Sequence, residues 1–185
     1  MPALGIYLMG AALLVVAGAL KAVHPDDTAR ALAAALRSSP PGGWRLLVRV
    51  LAVIEAAVGA VAVAAPGRVV AAAVAVSYLG FTAWVLWARA HGGSLSTCGC
   101  FGTPDTPPTV LHAAIDATVG AGAAGVAVAA PTGSILGILG AQYLDGVPLA
   151  VASVLAAWLA YLVMAPLARL GARRAMPPWV PGGRT

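Results

Sequence analysis

The sequence predicts an all-α integral membrane bundle of about five transmembrane helices. Two compositional facts and one pattern support this. Of 185 residues, 61% are apolar and only 9% charged, with a mean hydropathy of +0.91; soluble globular chains carry about 25% charged residues. The apolar residues also fall into runs close to the ~20 residues that a helix needs to cross a hydrocarbon core of about 30 Å. The net charge of +5 does not point to nucleic acid, because the basic residues flank apolar runs, as they do beside membrane spans.

Taken in chain order, the first span is expected over 4–23. An alternative for this stretch is a signal peptide cleaved near Ala17-Gly18-Ala19, but no basic residue precedes the apolar run. Residues 24–44 form a long connection. Within it, Asp26-Asp27-Thr28-Ala29-Arg30 through Leu36-Arg37 reads as a short amphipathic helix on the headgroups, its two aspartates suiting the positive end of the helix dipole. The second span covers 46–65 and stops at Pro66-Gly67, and the third covers 69–88. A second long loop, 91–109, holds both cysteines. The fourth span, 110–130, stops at Pro131, and a Gly-rich stretch over 133–143 reads as a loop or interfacial segment. The fifth span is expected over 147–167. Residues 1–168 then make one domain, followed by a basic, Pro-containing tail over 169–185. Trp44, Trp84, Trp87 and Trp158 read as interface anchors or packing residues. Two rows of small residues spaced by four, Ala52-Ala56-Ala60-Ala64 and Ala113-Ala117-Ala121-Gly125-Ala129, are expected to let helices approach closely.

Alternating spans place the 24–44 connection, the cysteine loop and the tail on one side. Lys21, Glu55, Arg89, His91, His112 and Asp116 gather toward that side. A carboxylate such as Glu55 within a span costs roughly 3 kcal/mol to insert, so it should face the bundle and have a partner, with Lys21 or Arg49 in reach. His112 and Asp116 are four apart and share a helix face, where a carboxylate can orient an imidazole or where the pair simply fixes packing.

Cys98 and Cys100 are the only cysteines, set in Ser96-Thr97-Cys98-Gly99-Cys100-Phe101-Gly102. Three readings stand. As a redox pair they would close a very small, strained and therefore reducible disulfide ring, with Arg89 and His91 near to stabilise a thiolate. As a metal site, His91, Cys98, Cys100 and His112 offer two sulfurs and two imidazoles for Zn or Cu(I), though not at the usual Cys-x2-Cys spacing. As a loop staple or inert thiols they would carry no chemistry.

The string Cys98-Gly99-Cys100-Phe101-Gly102 after a third hydrophobic helix resembles the MauE family, methylamine-utilisation-type membrane proteins related to DoxX-like proteins. Gly18-x-x-Lys21 ending the first helix, His24-Pro25, Glu55 with Gly59, and Phe81 followed by Arg89 also match, so the resemblance covers roughly Leu4 to Gly125. It implies a four-helix core, here extended by a C-terminal helix. It also implies a cell-membrane factor that exchanges disulfides with a thioredoxin-like partner and supports a client protein; the family's founding role is maturation of methylamine dehydrogenase, a periplasmic enzyme rich in disulfides. On that reading Cys98 and Cys100 are the catalytic pair of a thiol–disulfide oxidoreductase, with Lys21, Glu55, Arg89, His91, His112 and Asp116 as supporting polar groups. Family members often carry an Arg early in the fourth helix, where this chain has His112 and Asp116. More loosely, the layout is similar to vitamin K epoxide reductase and DsbB-type proteins, but a second cysteine pair is missing. No cofactor is fixed by the sequence, and a quinone near Glu55 is the candidate. The rival class is a non-enzymatic membrane assembly or scaffold subunit.

Charge and family disagree on sidedness. Ten of the 11 basic residues lie on the cysteine side and only Arg68 on the other, so the positive-inside rule puts the cysteines in the cytoplasm. The family resemblance puts them outside, where disulfides persist.

Overall fold

The computed structural model describes residues 2–36, 42–90, 109–129, 137, 140 and 143–164. The described residues form six helices: α1 (Pro2–Val23), α2 (Asp26–Ala35), α3 (Gly42–Ala64), α4 (Arg68–Ala90), α5 (Val110–Ala129) and α6 (Tyr143–Leu162). Helices α1, α3, α4 and α5 are long and apolar enough to cross a membrane, and the apolar stretch of α6, Gly146–Leu162, is shorter. The tail over 169–185 lies outside the described residues.

The outer faces explain why this bundle needs lipid. Leu46, Leu51, Ile54, Leu79, Leu86, Leu155 and Leu159 are all exposed, an apolar surface far too continuous for a water-soluble monomer. Inside, α1 is the hub, packed against α3, α5 and α6, while α4 lies along α5. The main core joins Tyr7, Leu14, Ala62, Val74, Tyr78, Val119 and Ala123. A second cluster joins Leu13 and Ala17 of α1 to Ala157, Ala160 and Met164 at the α6 end. The first span is therefore a structural helix of the bundle.

Close approach of α1 and α3 depends on two glycines. A Cβ at Gly18 would lie 2.6 Å from the Ala52 carbonyl oxygen and 2.7 Å from the Ala56 nitrogen, and one at Gly59 would lie 2.7 Å from the Ala11 carbonyl oxygen. These contacts are with backbone, which cannot swing aside. The small-residue rows expected from the sequence serve only in part. Ala52 is buried, but Ala60 and Ala64 face outward; on α5, Ala113 is buried while Ala121, Gly125 and Ala129 are exposed. The reason is geometric: residues four apart advance about 40° around a helix of 3.6 residues per turn, so a long row leaves a straight interface. The buried seam of α5 runs instead through Asp116, Val119, Ala123 and Val126, in steps of three, four and three, with Gly120 beside it.

Two tyrosines fasten the hub. The Tyr7 hydroxyl donates to the Ala62 carbonyl at 3.2 Å, and the Tyr78 hydroxyl donates to the Gly10 carbonyl at 2.7 Å. The amphipathic segment is indeed a helix, α2, with Ala29 and Ala31 buried, and Asp26 ties it to α3 through Arg45 at 2.6 Å.

Candidate functional site

Lys21, Glu55, His112 and Asp116 converge near one end of the bundle, where α1 and α4 finish and α3 and α5 begin. Lys21, two residues from the end of α1, is buried and forms an ion pair with Glu55 of α3. Its Nζ also sits 5.0 Å from the centre of the Phe81 ring on α4, a cation–π contact. Pairing gives Glu55 the partner that burial demands. Arg49, the other partner expected in reach, is exposed: six residues along a helix from Glu55, it points about 120° away.

Asp116 of α5 completes the cluster. It is 3% exposed, its Oδ2 has no hydrogen-bond partner, and it interacts electrostatically with Lys21. It lines a cavity of about 20 Å³ with Leu13, Leu14, Ala17, Tyr78, Phe81 and Met164. That space has room for one water molecule. Its lining is apolar apart from Asp116 and the Tyr78 hydroxyl already given to Gly10, and no step is routed through a quinone.

His112 is 1% exposed, and Asp116 is not what orients it. Its Nε2–H donates to the Met164 carbonyl at 2.8 Å, and its Nδ1 lies 2.7 Å from the Thr109 hydroxyl. Thr109 is also the N-cap of α5, accepting the His112 backbone N–H at 3.2 Å. This network is complete with a neutral ring. His112 could serve as a metal ligand only by giving up Thr109 or Met164, and the other members of that set, His91, Cys98 and Cys100, lie outside the described residues. Arg89 is exposed in the last turn of α4.

The structure thus brings Lys21, Glu55 and Asp116 together, with His112 one turn away on α5. Sequence reasoning passed over Tyr78, Thr109 and Met164. Tyr78 had a readable signal, since a tyrosine far from either end of a span must find a hydrogen-bond partner in the core. Met164 had none, because it contributes through its backbone carbonyl.

Family comparison agrees with the layout. A family model described as methylamine utilisation protein MauE matches residues 1–131. The chain belongs to the MauE family. The match takes in α1 to α5 and the cysteine segment between α4 and α5; α6 lies beyond it. No curated protein and no solved structure matches the chain. In this MauE family member the residues just past α6, outside the matched region, supply the Met164 wall of the cavity and the acceptor for His112.

Proposed function

We propose that this multi-pass membrane protein exchanges disulfides through Cys98 and Cys100 with a thioredoxin-like partner at the cell membrane, and so supports maturation of a client protein in methylamine utilisation. The observation that carries the reading is positional. The segment holding both cysteines is anchored at Ala90 and Thr109, the ends of α4 and α5. Those ends belong to the half of the bundle that holds Lys21, Glu55, Asp116 and His112, and family membership supports the same reading.

The exchange is balanced without a further reactant. One thiolate of the Cys98/Cys100 pair attacks the partner's disulfide, forming a mixed disulfide and releasing one partner thiolate. The second cysteine then attacks the mixed bond. The products are a Cys98–Cys100 disulfide and a partner dithiol, with two electrons passed to the partner; the reverse sequence oxidises the partner. Thiolate attack of this kind is the general route of disulfide exchange. Lys21, Glu55, Arg89, His91, His112 and Asp116 are supporting groups in this scheme.

The test is trapping. A single Cys98→Ser or Cys100→Ser variant should accumulate a mixed disulfide with a co-expressed thioredoxin-like protein, visible as a reductant-sensitive band. The double Ser variant should show no such band and lose client maturation. Undiminished maturation in the double variant would sink the redox reading and leave a non-enzymatic assembly role.

A further inference from the structure

The charges in the buried cluster do not balance. Among the described residues Lys21 is the one buried cation. Two carboxylates face it: Glu55 from α3, in the ion pair, and Asp116 from α5. From α4 comes Tyr78, whose hydroxyl is already committed to the Gly10 carbonyl, and Phe81, which is uncharged. His112, on the same helix as Asp116, has its ring satisfied as the neutral form by Thr109 and Met164. One positive and two negative charges remain. An uncompensated carboxylate is too costly to keep in a medium of low dielectric constant.

Asp116 has the geometry to resolve this. Its side chain is almost fully buried, its Oδ2 is without a partner, and it opens onto a cavity wide enough for one small, solvent-sized species. The walls supplied by Leu13, Leu14, Ala17 and Phe81 are apolar and offer no competing donor. We propose that Asp116, at the edge of this cavity, is a proton-binding site: its carboxyl group carries a proton that offsets the second carboxylate of the cluster. The site does not depend on the cysteines, so it stands or falls separately from the disulfide-exchange reading.

Infrared spectroscopy of the full-length protein in detergent at neutral pH reads the site directly through the carbonyl stretch of a protonated carboxyl group. In choline chloride a protonated-carboxyl band should be present in the wild type and absent in Asp116→Asn. Persistence of that band in sodium chloride identifies the occupant as a proton. Its loss on adding sodium chloride would overturn the proposal, because a proton on Asp116 in an apolar cavity has no competitor there. Absence of the Asp116 band in choline chloride overturns the proposal. Glu55→Gln supplies an independent check should Asp116→Asn fold poorly. With one carboxylate removed, Lys21 alone balances Asp116 and the band should vanish; a band unchanged in Glu55→Gln would overturn the charge argument. A Cys98→Ser/Cys100→Ser variant should keep the wild-type band.

Discussion

Lys21 and Glu55 stabilise the bundle as a pair and weaken it when separated. Breaking a buried ion pair by removing one partner costs about 3–5 kcal/mol, because the other charge is left uncompensated. Lys21→Met should therefore lower thermal stability in detergent markedly, while Lys21→Met/Glu55→Gln should recover most of the loss; comparison of the unfolding midpoints of the wild type, Lys21→Met, Glu55→Gln and the double variant measures the coupling. His112 presents a smaller, more local case. His112→Phe removes the donor to the Met164 carbonyl and the acceptor for Thr109, and an unsatisfied buried group costs about 1–3 kcal/mol. Faster amide exchange near the end of α6 would report it. At this scale the sequence revealed which residues matter better than what they touch. Glu55 announced itself as a carboxylate within a span, and Lys21 was one of two cations in reach; helical phase decided between them. His112 and Asp116 share a buried face as their spacing requires, but the imidazole bonds to a hydroxyl and a main-chain carbonyl that residue spacing cannot reveal.

Helix packing here is controlled by where a side chain is missing. At Gly59 a methyl group would meet the α1 backbone at 2.7 Å, whereas at Gly80 nothing lies within 4 Å. Gly59→Ala should separate α1 from α3 and destabilise the protein. Gly80→Ala should be neutral or stabilising by up to about 1 kcal/mol, the difference in helix propensity between the two residues. Thermal unfolding of the two variants side by side checks both. The order and rough extent of the helices were legible because apolar runs interrupted by Pro and Gly mark spans clearly. Bounds differ by a few residues: α3 begins at Gly42 and α6 at Tyr143, each four residues earlier than the apolar run suggests, since a helix continues past the residues that lipid requires to be apolar. The interhelical seams were less legible. In a chain this rich in alanine, many rows of small residues exist, and only the three-dimensional crossing of two helices selects one.

For the whole molecule, the question with the largest functional consequence is which side of the membrane the polar end faces. Disulfide exchange with a partner outside requires Cys98 and Cys100 to be reached there. A membrane-impermeant maleimide should label intact cells only after reduction if the pair is an external disulfide. Labelling confined to permeabilised cells without reductant would place free thiols inside, in line with the charge asymmetry of the sequence, and would remove the oxidative role.

The position of Lys21 bears on how such a protein is made. A lysine emerging from the ribosome in the first hydrophobic segment has no Glu55 to meet, because that residue has not yet been synthesised. Standing two residues from the end of α1, Lys21 can keep its ammonium among the lipid headgroups during this interval, as long basic side chains do. Once the next hydrophobic segment arrives and Gly18 and Gly59 seat the two helices together, the ammonium can turn inward to the carboxylate. On this route the Lys21 charge stays solvated at the membrane surface until its carboxylate partner is in place.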